Sequence, residues 1–141
     1  MISQSNEIKK IIASFCEKEP AIAAAYLFGS YAKGKQKQSS DLDIALLLNE
    51  NETDAFSLLS FITALEKKTG YKVDAVILNN AGEVLKHEIR REGILLFERS
   101  SMYRKQFEVK SRKFYEDFLH LHKKYVNKIL YGGSNGRSNP S

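Results

Sequence analysis

The chain has 141 residues, room for one domain, and its 43% hydrophobic content is ordinary for a globular core. No run of about 18 apolar residues occurs, and MISQSNEIKK lacks the apolar stretch of a secretion signal, so no membrane span and a cytoplasmic location are expected. The charge of +5 is uneven: residues 1–100 carry 13 Lys or Arg against 14 Asp or Glu, while residues 101–131 carry 8 against 3. A basic end of this kind attracts acidic partners, although a solvated lysine-rich helix face is the commoner meaning of such a run.

Ile8, Ile11, Ile12 and Phe15 follow the i, i+3, i+4, i+7 spacing of a helix that buries one face. Cys16, the lone cysteine, continues that helix as a partly buried thiol with no disulfide partner. Pro20 ends or follows the helix, and Ala21–Phe28 is a short apolar run that reads as a first strand ending at Gly29. The stretch Gly29–Ser40, GSYAKGKQKQSS, is small, polar and basic, and is expected to link strands rather than enter a core. Asp41–Leu48, DLDIALLL, reads as a second strand, with Asp41, Asp43, Ala45 and Leu47 on one face and Leu42, Ile44, Leu46 and Leu48 on the other.

Thr53 is the expected N-cap of a helix that carries Ala55, Leu58, Leu59, Ile62 and Leu65 inward and ends near Gly70. Lys72–Leu78 reads as a third strand, with Asp74 on the side of Val76 and Leu78. Residues 81–92 form the next expected helix, and Ile94–Phe97 a short fourth strand. A last helix runs from about 101 to 131, with Tyr103, Phe107, Phe114, Phe118, Leu121, Tyr125 and Ile129 on one stripe, the usual mark of a core or of a helix partner. GGSNGRSNPS has the composition of a flexible tail. The order predicts a mixed α/β fold, one small mixed sheet packed by helices, with a long terminal helix.

Three features carry chemistry. Gly29-Ser30 lies where a strand ends, Asp41-Leu42-Asp43 begins the next strand, and Asp74 interrupts an otherwise apolar third strand. Residues two apart on a strand project the same way, so Asp41 and Asp43 can converge with Asp74. Carboxylates so grouped repel one another unless cations neutralise them. Magnesium takes a few protein oxygens and completes its shell with water and substrate phosphates, and two such ions stabilise both oxygens of an in-line displacement at phosphorus. Gly29 permits close approach of backbone N–H groups to a phosphate, and Ser30 adds a small donor; a helix starting there would add its dipole. The longer loop of P-loop enzymes is absent from the sequence.

GSYAKGKQKQSSDLDIALLL resembles the signature of the DNA polymerase β-like nucleotidyltransferase superfamily, Gly-Ser followed after ten residues by Asp-x-Asp. Within it, the chain is similar to the minimal nucleotidyltransferases, the MntA-like antitoxins encoded beside HEPN-domain toxins. The resemblance covers about residues 5–100, including VDAVILNNA and HEIRREGILLFER; residues 101–131 fit it only in being a terminal helix, and the tail not at all. The expected organisation is a nucleotidyltransferase domain over 1–131, with its core at about 5–100 and a C-terminal helix at about 101–131, followed by a flexible tail at 132–141. The resemblance implies that Asp41 and Asp43 ligate two Mg2+ ions, that Asp74 ligates the catalytic ion and orients or deprotonates the incoming hydroxyl, and that Gly29 and Ser30 hold the β- and γ-phosphates of ATP. The implied reaction is AMP transfer to a tyrosine of a cognate HEPN ribonuclease toxin, silencing it. The implied assembly is a hetero-oligomer with the toxin that needs no membrane and no direct nucleic-acid binding.

Two rivals remain open at this level: AMP transfer to a small molecule of the aminoglycoside kind, and a module that sequesters a toxin without chemistry through the basic aromatic helix at 101–131. Lys33, Lys35 and Lys37 are expected to be solvated loop lysines. His87, His120 and His122 have no zinc-type spacing with Cys or acidic residues and read as surface histidines. The Arg-x(4–6)-His-x-Tyr pattern of HEPN nucleases is absent around His120 and His122.

Overall fold

The computed structural model describes residues 4–36 and 40–132. Lys37 and residues 133–141, to which the loop-lysine and tail expectations apply, lie outside them, as do residues 1–3. The elements in chain order are α1 (Gln4–Glu17), β1 (Ile22–Phe28), α2 (Gly29–Ala32), β2 (Leu42–Leu48), α3 (Leu58–Thr69), β3 (Val73–Ile77), α4 (Glu83–Glu92), β4 (Ile94–Glu98) and α5 (Ser101–Leu130). Four strands make one sheet in the order β3-β2-β1-β4. β1 is antiparallel to both β2 and β4, and β2 is parallel to β3, so the sheet is mixed as expected.

Strand alternation sorts the apolar residues into two cores. Ile22, Ala25, Leu27, Leu42, Ile44, Leu46 and Val73 face α1 and α3, meeting Ile8, Ile12, Phe61 and Leu65. On the other face Ala23, Tyr26, Ala45 and Leu47 meet Leu78 and Ile89, with Tyr103 and Phe107 of α5 packed against them. Nearly every residue of β1 and β2 is therefore buried, as central strands covered on both faces must be. Three polar ties fix α5 on this second face. Tyr26 Oη donates to Glu108 Oε2 at 2.7 Å, Tyr103 Oη donates to the Leu48 carbonyl at 3.2 Å, and Arg104 joins Glu98 at 2.7 Å to Glu108 at 2.9 Å.

Several local expectations are corrected. The cap of α3 is Ser57, whose hydroxyl accepts from Ser60 N at 3.2 Å, and not Thr53, which closes a 3-10 turn over Glu50–Glu52. Phe56 packs on Phe61 with ring centroids 5.9 Å apart, and this contact anchors the chain just before the helix begins. The inward stripe of α3 is thus Leu58, Phe61, Ile62 and Leu65, while Leu59 is 75% exposed. Cys16 is fully rather than partly buried. The Gly29–Ser40 segment does reach the core: its first four residues form α2, which buries Tyr31 edge-on against Tyr71 at 5.7 Å between centroids. The stripe on α5 is core only in its first part, since Phe114, Phe118, Leu121, Tyr125 and Ile129 are exposed.

Candidate active site

The parallel pairing of β2 with β3 sets Asp43 opposite Asp74 as Cα partners in the ladder, one strand spacing apart, about 4.8 Å. Asp41 precedes β2 by one residue and carries the same parity as Asp43. Asp43 also stands opposite Phe28, the last residue of β1, so the chain turns at Gly29 directly beside its carboxylate. Asp43 shares its face of β2 with Ala45 and Leu47, and this is the face covered by α4 and α5.

The contact between Gly29 and Asp43 is the tightest feature of the site. Gly29 has φ +73°, a left-handed conformation in which a side chain is strained. A Cβ there would fall 2.1 Å from Asp43 Oδ2 and 2.9 Å from its Cγ. Glycine is therefore required twice, by the turn and by the carboxylate seated against its backbone. From Gly29 the chain enters α2, where the Lys33 and Lys35 amides return to the carbonyls of Gly29 and Ser30 at 3.2 and 2.9 Å. With only four residues α2 has little macrodipole, so any grip on phosphate there comes from individual N–H groups and the Ser30 hydroxyl.

Electrostatics mark Asp43 as the strained member. Its carboxyl is raised above the usual carboxylate range, first by burial and then by the negative charges of Asp74, Asp41 and Glu88. Asp41 and Asp74 themselves are exposed. Glu88, which sequence reasoning missed, comes from α4, folded across the same face of the sheet. Nothing in its local sequence distinguishes it from the other charges of HEIRRE; only the packing of α4 brings it to the aspartates. One turn further, Glu92 pairs with Lys33 at 3.2 Å and ties the end of α4 to α2. Lys33 and Lys35 are both exposed, as expected of loop lysines, and Lys33 adds this surface ion pair.

The donors gathered here are all oxygen, the set that suits a hard divalent ion. Among the described residues no three His, Cys, Asp or Glu side chains form a preformed metal cage. Magnesium needs none, because one or two carboxylates together with substrate phosphates commonly hold it. The uncompensated repulsion at Asp43 is what a bound cation would relieve. His87, His120 and His122 lie elsewhere: His87 stacks on Tyr115 with centroids 3.8 Å apart, and His122 on Phe118 at 6.0 Å.

A Gly-Ser turn against an acidic strand pair, on a small mixed sheet, defines a nucleotidyltransferase, and the chain belongs to that family: the polymerase beta nucleotidyltransferases match residues 9–102. Within the family its likeness is to MntA-type protein adenylyltransferases. The chain is 34% identical to the protein adenylyltransferase MntA of Shewanella oneidensis over 92 residues, 65% of each chain. It is 37% identical over 76 residues to a Methanocaldococcus jannaschii protein assigned as a protein adenylyltransferase, spanning 53% of this chain and 76% of that one. A crystal structure of a toxin–antitoxin with AMP-PNP superposes with a TM-score of 0.68 at 26% identity, covering 89% of this chain and 98% of that one. Among the described residues no helix is long and apolar enough to cross a membrane.

Proposed function

We propose that this chain is an antitoxin that transfers AMP from ATP to a tyrosine of a HEPN-type toxin and thereby neutralises it. The observation that carries the reading is the Asp43 carboxylate, held in register with Asp74 and pressed against the glycine turn. That arrangement offers a cation site and a phosphate site in direct contact. The similarity to MntA-type adenylyltransferases and to a toxin–antitoxin solved with AMP-PNP supports the choice of nucleotide and of a protein acceptor.

In this reading Gly29 and Ser30 hold the β- and γ-phosphates of ATP. Asp41, Asp43 and Asp74 hold two Mg2+ ions. When bound, those ions supply charge neutralisation for the phosphates and for the attacking and departing oxygens. Asp74, the more exposed carboxylate of the Asp43–Asp74 pair, orients the acceptor hydroxyl and takes its proton. The acceptor oxygen forms a bond to the α-phosphorus while the bond from that phosphorus to the bridging oxygen breaks. AMP becomes esterified to the tyrosine, and pyrophosphate leaves.

The test is transfer of label from [α-32P]ATP in magnesium to a cognate HEPN-type toxin. Wild type should label it, Asp43→Ala should not, and the labelled toxin should lose ribonuclease activity. Undiminished labelling by Asp43→Ala would overturn the metal role, and labelling of an aminoglycoside instead of the protein would move the acceptor to small molecules.

A further inference from the structure

Among the described residues, most of the second half of α5 is left uncovered by the body of the fold. Its contacts with the body end in a short stretch where Arg90 Nη1 donates to the buried Ser111 Oγ at 2.7 Å and His87 stacks on Tyr115. Beyond it Phe118, Leu121, Tyr125 and Ile129 remain 40–64% exposed, and Phe114 half exposed. An isolated helix of this length is marginal in water, and a row of large apolar side chains on it is costly to leave hydrated.

The row has an order. Positions 114, 118, 121 and 125 follow the 4-3-4 spacing of a heptad seam that packs against a second helix, and Ile129 prolongs the same stripe by one further turn. Lys110, Lys113, Lys124 and Lys128 fall on one shoulder of that seam, about 60–120° round the helix at 100° per residue, with Asp117 among them. The surface is thus apolar along its middle and basic along one edge.

The direction of α5 gives this surface a place in the reaction. Tyr103 is held at Leu48, the end of β2 remote from the aspartates, and Ser111 is held by Arg90, near the end of α4. The end of α4 lies at the catalytic side, where Glu92 meets Lys33 and Ile94 pairs with Leu27. The helix therefore runs toward the carboxylates, on the face of the sheet that carries Asp43, and its uncovered half extends beyond that end.

We infer that residues 114–129 of α5 dock an amphipathic helix of the protein acceptor, one whose apolar seam is flanked by Asp or Glu, and thereby hold the acceptor at the catalytic end. This rests on the reading of the chain as a protein-modifying transferase. Charge selects the occupant. Two copies of α5 paired antiparallel would set lysine against lysine, and a parallel pair would leave both lysine shoulders unmatched. The residues after Gly132, GSNGRSNPS, have no large apolar side chain with which to cover the seam.

The probe is a fluorescent helical peptide of about four heptads with Leu at the seam positions and Glu on the flanks, compared with the same peptide carrying Lys on the flanks. Anisotropy should show the Glu peptide binding wild type and Asp43→Ala alike, and the Lys peptide binding at least about tenfold more weakly. Leu121→Glu/Tyr125→Glu and, separately, Lys110→Glu/Lys113→Glu/Lys124→Glu/Lys128→Glu should each lose about tenfold or more for the Glu peptide, with thermal unfolding and circular dichroism verifying that they fold. Labelling of the HEPN-type protein by the Leu121→Glu/Tyr125→Glu variant should rise in KM and keep kcat. Equal binding of the two peptides, or unchanged KM in the seam variant, overturns the docking role while leaving the transferase reading intact. Concentration-dependent dimers of wild type that the seam variant abolishes would show a second copy as the occupant and overturn it as well. Loss of labelling in Asp43→Ala with peptide binding intact supports both; labelling retained by Asp43→Ala defeats the transferase reading and with it this one.

Discussion

Gly29→Ala adds a single methyl group, and the geometry states where it must go. The new Cβ would sit 2.1 Å from Asp43 Oδ2, 2.9 Å from Cγ and 3.2 Å from Cβ, so the carboxylate must retreat by about 1 Å before contact becomes tolerable. A misplacement of about 1 Å at a reacting centre costs about 100-fold in rate. The left-handed φ of +73° adds a backbone penalty of about 1–2 kcal/mol, or about 3–8 °C in melting temperature for a chain of this size. Gly70→Ala separates the two effects. Gly70 has φ +75° at the end of α3, yet its added Cβ meets nothing within 4 Å. Both variants should lose similar stability by circular dichroism, but only Gly29→Ala should lose AMP transfer, by about two orders of magnitude at saturating Mg2+ and ATP. If Gly29→Ala keeps a rate within about threefold of Gly70→Ala, the close approach to Asp43 is not what the reaction requires.

Three further outcomes follow from other parts of the molecule. Burial pushes the Cys16 thiol up to about 12 from 9.0. The folded state thus keeps a proton that the unfolded chain releases, and this contribution is complete below about pH 9 and shrinks as pH rises toward 12. Urea titrations should show wild type losing stability more steeply than Cys16→Ala over that window, and a disulfide exchange reagent at pH 8 should find the thiol only after unfolding. Glu88→Gln removes one negative charge from the neighbourhood of Asp43, so half-maximal transfer should require several-fold more Mg2+ while the rate at saturation changes by less than about twofold; a large fall in saturated rate would give Glu88 a direct role. Arg99 closes the end of α1, donating to the carbonyls of Cys16, Glu17, Glu19 and Ile22 at 3.0–3.2 Å, and Arg99→Ala should lower stability by about 1–3 kcal/mol with transfer per folded molecule unchanged.

How much of this was readable without coordinates depends on the range of the force involved. The period of two in DLDIALLL is a local property, and it placed Asp43 on the face of Ala45 and Leu47, where α4 and α5 lie. The boundaries of the strands and long helices followed from similar local patterns. Short elements did not: α2 has four residues and no period to detect, and Tyr31 becomes core through packing against the main cluster and against Tyr71, which lies far away in sequence. The start of α3 was misplaced because Thr53 and Ser57 are equally good caps by type, and the decision belongs to Phe56 in its contact with Phe61. Glu88 was invisible because its importance is purely electrostatic and arises from α4 folding across the aspartates.

The aromatic stripe of α5 carries the same lesson one level higher. Its helical period states that a face is apolar, and says nothing of what covers the face. Among the described residues Tyr103 and Phe107 find the second core, whereas Phe118, Leu121, Tyr125 and Ile129 stay exposed. A free helix of this kind would fray and expose its aromatics at a cost that selection removes unless something gains from it. The placement of the uncovered half beyond the catalytic end suggests what gains. Asp41 and Asp74 are exposed, so the site does not enclose an acceptor, and a surface outside the site can supply orientation. An extended helix anchored by Arg90, Ser111 and Tyr26 is stiff enough to supply it, because each residue advances about 1.5 Å along a fixed axis. On the proposed reading, docking on this helix would raise the effective concentration of the acceptor at the catalytic end and so select which protein is modified.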